Sequence, residues 1–123
     1  MRQNAKKVSP MSSEGRNAYV IKHLTDAFLS LLAEKPLEDI SISELVDTAC
    51  VGRASFYRNY KRKEDILKAY LDTLFREWTD EWKKNDGVPL SKQIHTMIVH
   101  FEKHHSFYQL LNERGLTYLL KDV

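Results

Sequence analysis

The sequence predicts an all-α fold in which a three-helix head is followed by a long helix and a helical C-terminal body. Apolar residues recur at spacings of three and four along most of the 123-residue chain, as they do on the buried faces of amphipathic helices. No segment shows the strict alternation of a half-buried strand. Between Ile40 and Asp65, two short helical patterns follow one another, separated by a brief joint.

The first of these two patterns begins with a capping signal. Ser41 and Glu44 form an S-x-x-E capping box, which predicts a helix that starts at Ile42. The segment 50–52 then interrupts the pattern, and Gly52 can adopt either a helix-cap or a positive-φ geometry. The apolar residues that share one face of this helix are Ile42, Leu45, Val46 and Ala49.

The second pattern predicts a helix from Arg53 to about Tyr60, with Phe56 and Tyr60 turned toward the first helix. Two helices joined by a tight turn form a helix-turn-helix. Polar side chains on the outer face of such a second helix can donate hydrogen bonds to phosphates and base edges. In this sequence they are Arg53, Ser55, Tyr57, Arg58 and Asn59.

Charge is segregated along this part of the chain. Residues 50–63 carry five bases and no acid, whereas residues 24–49 carry six acids against the single base Lys35. A solvated basic face is the plain alternative, and the net charge of +2 does not discriminate. Together with the capping box and the tight turn, the segregation favours nucleic-acid binding.

The stretch from about residue 17 to 75 resembles the DNA-binding domain of the TetR family of bacterial transcriptional repressors. Cys50 stands where that family usually has glycine, Gly52 where it has a serine or asparagine cap, and Arg62 where it has a small cap residue. The residues that match the family pattern are Ala49, Val51, Arg53, Ala54, Ser55, Phe56, Tyr57, Tyr60, Lys61 and Lys63.

The resemblance implies a sequence-specific, ligand-responsive transcriptional regulator, most typically a repressor. Its partners would be a double-stranded DNA operator, an unknown small-molecule effector and a second copy of the full-length protein. We expect Arg53 and Ser55 to approach base edges, with Ala54 allowing a close approach. The expected phosphate contacts are Tyr57, Tyr60, Lys63 and, as a further candidate, Lys61.

The head is preceded by a polar segment, 1–16, which we interpret as a flexible basic arm. Such an arm can touch DNA, or it can be a disordered tail; Arg16 is the best candidate for a contact because it adjoins the first helix. That helix is predicted from Asn17 to Glu34, since Lys35-Pro36 disfavours its continuation. The DNA-binding domain is thus expected to span 17–63.

The remaining segment, 64–123, is expected to contain a linking helix to about Lys83 and a partial effector-binding and dimerisation domain. Further helices are predicted over 91–103 and, after an S-x-x-Q box at Ser106, to Glu113. The pattern that starts at Leu116 stops within an apolar helix, and typical family members are longer. We therefore expect a fragment that dimerises weakly.

Aromatic and methionine side chains in this second part allow two interpretations. They can line an apolar effector pocket, as the resemblance implies, or they can be ordinary core. The residues concerned are Trp78, Trp82, Met97, Phe101 and Tyr108.

The histidines suggest a metal site, but the spacing argues against one. His100 and His104 can share a helix face, whereas Glu102 lies two residues from each and points away. No cysteine pair has zinc-ligand spacing. We predict no metal, no cofactor and no enzyme motif; a helical ligand- or metal-binding protein, or a protein interaction domain using Trp78 and Trp82, are the alternatives.

No apolar run approaches the roughly 20 residues that span a membrane, and no hydrophobic signal segment opens the chain. These observations predict a cytoplasmic protein without a membrane partner. The single cysteine, Cys50, cannot form an intrachain disulfide and is expected to be a small, half-buried packing residue.

Overall fold

The computed structural model describes residues 13–84 and 87–122. This part of the chain is helical, without a strand, which confirms the all-α prediction. The α-helices are α1 (Ser13–Glu34), α2 (Ile42–Ala49), α3 (Arg53–Asn59), α4 (Glu64–Lys84), α5 (Leu90–Lys103) and α6 (His105–Glu113), and Leu37–Asp39 and Thr117–Asp122 are short 3-10 helices.

The chain divides into two compact units, residues 1–66 and 67–123. The boundary falls in the first turn of α4 rather than just before that helix. Asn85 and Asp86, which follow α4, lie outside the described residues, as does most of the predicted arm.

Helix α1 begins at Ser13, earlier than the predicted start at Asn17. The segment 13–16 is therefore helical and not part of a flexible arm. Gly15 lies inside this helix, where a glycine costs only about 1 kcal/mol relative to alanine. At the other end, the Lys35 amide still donates to the Leu31 carbonyl at 3.0 Å, and Pro36 follows.

The capping box of α2 is only half formed. The Ser41 hydroxyl accepts a hydrogen bond from the Glu44 amide at 3.0 Å, as predicted. The Glu44 carboxylate does not complete the box, because it pairs with the Lys35 ammonium at 2.6 Å. The side chain that should have capped α2 a second time instead joins α2 to the end of α1.

The turn between α2 and α3 departs from the prediction at two residues. The positive φ lies at Cys50 (φ 59°, ψ 42°), whereas Gly52 is extended (φ −82°, ψ 156°) and acts as the N-cap of α3. The Val51 amide donates to Val46 O and the Cys50 amide to Asp47 O, which is the Schellman arrangement at a helix C-terminus. Because this geometry directs its side chain outward, Cys50 is exposed and not half-buried.

The core of the first unit lies among α1, α2 and α3. Leu37 and Ile40, which follow α1, are buried beneath the helices as predicted. Each fully buried large apolar side chain contributes about 1.5–3 kcal/mol. The large side chains with 0–1% exposure in this unit are Leu24, Phe28, Leu32, Ile40, Leu45, Phe56 and Ile66.

The second unit has its own core, which α4 and α6 supply together with the last segment. The rings of Tyr70 and Phe107 meet edge to face with centroids 4.8 Å apart. The apolar face of α4 is buried only in the first half of the helix, since Phe75 and Trp82 are 42% and 40% exposed. The buried apolar residues of this unit are Leu67, Leu71, Leu74, Phe107, Leu111, Leu116 and Leu119.

Two local predictions for the second unit are wrong. Helix α6 begins at His105 without a side-chain cap, so Ser106 is an internal helix residue and not the start of a capping box. The chain after Gly115, whose φ is +70°, forms a 3-10 helix instead of entering a new α-helix.

Candidate nucleic-acid interface

Helix α3 has one buried face and one exposed polar face. Phe56 is fully buried and anchors the helix to the first unit. Arg53, Ala54, Tyr57 and Arg58 are exposed on the opposite side. Ala54 shares the exposed side with Arg53 and Arg58, and its small side chain leaves room for a close approach by a large partner.

The Arg53 guanidinium contacts the start of α2. Its Nη1 donates to the Ser43 hydroxyl at 2.7 Å. The sequence analysis did not identify Ser43, because no periodicity links a residue near the start of one helix to the first residue of another. The contact uses one N–H of the guanidinium, and the group has further N–H donors for a second partner.

Ser55 and Asn59 are only partly exposed. The Asn59 side-chain amide donates to the Ser55 carbonyl at 3.0 Å, one helical turn earlier. Asn59 thereby stabilises the last turn of α3, and its NH₂ group is partly engaged. Ser55 remains available on the accessible side of the helix.

Lys63 occupies a position different from the one expected. Its Nζ donates to Leu37 O and to Ile40 O, both at 2.7 Å. An ammonium has three protons, so at most one remains for a phosphate. Lys63 therefore attaches the start of α4 to the segment 37–40.

Tyr60 likewise faces the interior. It is half-buried, and a side-chain hydrogen bond links it to Thr25 of α1, whose hydroxyl donates to Ile21 O at 2.8 Å. Burial raises the pKa of Tyr60 above its ordinary value of 10.0, with the Thr25 contact acting in the opposite direction. Since its hydroxyl has a partner within the unit, Tyr60 positions α3 against α1.

The bases that follow α3 surround an exposed turn. Arg58, Lys61 and Arg62 are all exposed. Asp65 orders the turn because its Oδ2 accepts from the Lys61 and Arg62 amides at 3.2 and 3.0 Å. The Arg62 guanidinium lies 3.8 Å from Asp65 Oδ1, a distance typical of a weak surface pair.

A groove in the first unit, which we call the α1–α3 groove, brings the first turns of α1 close to the exposed side of α3. Arg16 thus lies near Ser55 and Arg58, although they are far apart in sequence. Tyr19, which the sequence analysis missed, is 53% exposed here and stacks on His23 at 3.9 Å. The groove encloses about 490 Å³ and is lined by Arg16, Tyr19, Val20, Cys50, Val51, Gly52, Ser55 and Arg58.

One groove of the second unit contains a single member of the set predicted for an effector pocket. This groove, the α4–α5 groove, encloses about 450 Å³ and includes only Trp78 from that set. Trp82 borders a separate hollow with Trp78, and Phe101 is 46% exposed. Met97 and Phe101 are not among the residues that line the α4–α5 groove. The α4–α5 groove is lined by Glu77, Trp78, Glu81, His95, Thr96, Val99, His100 and Lys103.

In the part of the chain that the structure describes, no helix combines the length and the apolar character needed to cross a membrane.

A short helix with a basic exposed face, held by a tight turn against a capped helix and an underlying long one, defines a helix-turn-helix DNA-binding domain. Residues 24–70 match the family model described as bacterial regulatory proteins, tetR family. This match agrees with the resemblance seen in the sequence and is confined to that segment of the chain.

Among curated proteins, the chain is similar to the uncharacterized HTH-type transcriptional regulator YxbF of Bacillus subtilis (strain 168). The two are 27% identical over 106 residues, which represent 80% of this chain and 28% of the relative. This chain therefore spans less than a third of the length of that protein. No solved structure matches the chain.

Proposed function

We propose that this protein is a DNA-binding transcriptional regulator that inserts α3 into the major groove of a double-stranded operator. The observation that carries the proposal is the exposed, basic face of α3 within a TetR-family domain. The name of the Bacillus relative, a transcriptional regulator, supports the same function.

Individual side chains take distinct roles in this proposal. Arg53 and Ser55 contact base edges, with Ala54 permitting the close approach. Tyr57 and Arg58 contact phosphates, which fix position rather than sequence. Additional phosphate contacts come from Lys61, Arg62 and, across the α1–α3 groove, Arg16.

Three residues of the predicted contact set have mainly positioning roles. Lys63 and Tyr60 form hydrogen bonds inside the first unit, and Asn59 bonds to the carbonyl of Ser55. They hold α3 at a defined angle to α1 and α2. Lys63 can add a single N–H to a phosphate without leaving its carbonyl partners.

The full-length protein is proposed to act as a homodimer on paired half-sites, because helix-turn-helix proteins usually read two half-sites about one helical turn apart. Exposed apolar side chains along α5 support self-association through the second unit. They are Leu90, Ile94, Ile98 and Phe101, with 44–67% exposure. Repression in the cytoplasm, control by a small-molecule effector and the lack of a catalysed reaction complete the proposal.

Selection of bound duplexes from a random pool, followed by salt titration on the selected site, tests this function. A DNA-binding protein should lose affinity steeply with salt, with a slope of about −0.9 per phosphate contacted. Removing Arg58 and Lys61 together as alanines should flatten the slope by about two.

The matched control is Lys22→Ala, which removes an exposed base of α1 that pairs with Asp26. This variant should keep the wild-type slope. A salt-independent affinity, or an equal change in both variants, would contradict the proposed docking through α3.

A further inference from the structure

Three ligand-type side chains converge in the second unit, away from α3. The carboxylate of Glu77 on α4 meets the imidazoles of His100 on α5 and His104 at the end of α5. One ligand atom from each residue lies within 4.8 Å of the others. The two imidazole centroids are 5.0 Å apart, as one turn of helix places them.

This arrangement supports a proposal that differs from the prediction of no metal site. The sequence analysis considered only Glu102 as the carboxylate partner of the two histidines, and that residue is indeed exposed on α5. The carboxylate that faces the histidines belongs to Glu77, which is 23 residues before His100 on another helix.

Two imidazoles and one carboxylate form a donor set that suits particular metal ions. Zn²⁺ binds histidine nitrogen and carboxylate oxygen, and three protein ligands leave one coordination position open. Imidazole also suits copper, nickel and cobalt. Magnesium and calcium prefer sites made entirely of oxygen ligands, so this set discriminates against them.

Neighbouring residues orient the proposed ligands. The Tyr108 hydroxyl lies 3.1 Å from His100 Nε2 and restrains the ring, as outer partners do for metal-ligating histidines. His100 is only 8% exposed, and its burial lowers its pKa.

Without a metal, two other groups share the carboxylate. His104 Nε2 lies 3.3 Å and Lys103 Nζ 3.2 Å from the same oxygen, Glu77 Oε1. The contact with His104 lowers the pKa of Glu77. Lys103 is 64% exposed as a side chain and can move aside when a metal takes its place.

The α4–α5 groove provides access to these residues, since Glu77, His100 and Lys103 are among its lining. We propose that Glu77, His100 and His104 form a binding site for a divalent transition-metal ion, with an open coordination position toward the groove. The site does not depend on the proposed DNA-binding function. An ion-pair cluster without metal affinity is the competing interpretation.

Zn²⁺ binding to the full chain, measured by competition with a chromophoric chelator, tests the proposal. All variants carry Cys50→Ser, because the exposed thiol would otherwise bind metal. Glu77→Gln and His104→Gln should each raise the Kd by more than about tenfold. The parent chain should also give visible Co²⁺ absorption that these two variants lack.

Matched controls come from other histidines. His105→Gln alters the exposed neighbour of His104, and His23→Gln alters a histidine of the first unit. Both should retain the parent Kd, whereas equal losses in all four variants would show that binding is nonspecific and overturn the proposal.

Lys103→Gln provides a test that misfolding cannot imitate. Removing the competing ammonium from Glu77 should tighten Zn²⁺ binding several-fold, by an amount that falls as salt rises. No measurable Zn²⁺ binding by the parent chain, or a weaker binding in Lys103→Gln, would leave only the ion-pair cluster and refute the metal site.

Discussion

Lys63 and Ile40 are joined by a hydrogen bond of 2.7 Å from the lysine ammonium to the backbone carbonyl, and the same ammonium also reaches Leu37. These contacts connect the first residues before α4 to the segment that follows α1. They give a basic residue of the family pattern a structural role inside the DNA-binding unit. This role can be separated from a phosphate contact by experiment.

The first prediction concerns Lys63→Met. Loss of two charge-assisted hydrogen bonds should destabilise the first unit by about 1.5–3 kcal/mol, because the carbonyls lose a charged donor. Tryptophan fluorescence would report on the second unit, because both tryptophans lie there. Hydrogen exchange of the amides of Leu45 and Phe56 instead measures the stability of the first unit. Affinity for DNA should fall for all sequences, with little change in salt slope.

Lys61→Met is the comparison for Lys63→Met, because Lys61 is exposed and lies in the same turn. It should leave hydrogen exchange unchanged and flatten the salt slope by about one. If Lys63→Met instead leaves stability unchanged and flattens the salt slope, Lys63 acts mainly as a phosphate contact.

The second prediction concerns the base contact of Arg53. Arg53→Ala should relax the sequence preference at one base pair and cost about 1–3 kcal/mol there. Ser43→Ala removes only the hydroxyl that accepts from Arg53. It should preserve the preference, because the guanidinium retains its own donors.

Selection from a random duplex pool, repeated with the parent and both variants, makes this comparison. Identical preferences in the parent and Arg53→Ala would exclude Arg53 from base recognition. A loss of preference in Ser43→Ala alone would show that the contact with α2 is needed to orient the arginine.

The third prediction concerns the turn residue Cys50. A non-glycine residue in the left-handed region is strained by about 1–2 kcal/mol, and glycine recovers part of this at an entropic cost. Cys50→Gly should therefore stabilise the protein by about 0.5–1 kcal/mol. Cys50→Val should destabilise it, because a β-branched side chain resists this conformation.

Gly52→Ala serves as the control for the Cys50 variants. Gly52 has a negative φ, and an added Cβ meets nothing within 4 Å. Thermal unfolding followed by circular dichroism should show a shift close to zero for this variant. A large loss of stability in Gly52→Ala, or destabilisation by Cys50→Gly, would show that the strained residue of the turn is Gly52 and not Cys50.

The fourth prediction concerns the pH dependence that Tyr60 introduces. Its pKa is raised in the folded protein, so the unfolded chain ionises first as pH rises above 10.0. The stabilisation is complete below this value and is lost as pH rises from it through the higher folded pKa. Tyr60→Phe should reduce the loss of stability in that alkaline range.

Urea unfolding followed by circular dichroism, at pH values below and above the ordinary tyrosine pKa, tests this linkage. Tyr57→Phe is the matched control, because Tyr57 is exposed on the same helix. Equal pH dependence in the parent and Tyr60→Phe would show that the hydroxyl is not shielded by α1.

Local sequence signals predicted the helices of the first unit well. Ser41 fixed the start of α2, Pro36 ended α1, and Phe56 was correctly assigned to the buried face of α3. These features act within a few residues, so periodicity and capping chemistry describe them. The turn geometry was less predictable, because Cys50 adopts a conformation in which glycine is the usual choice.

The sequence by itself determined the fold class, the helix-turn-helix and the resemblance to the TetR family, because all three depend on spacing along the chain. Tertiary structure decided the partners of individual side chains. Lys63 reaches Ile40, Arg53 reaches Ser43, and Glu77 reaches His104, in each case over 10 to 27 residues. Helical periodicity fixes which face a residue occupies, but only packing determines which side chain of another element lies opposite it.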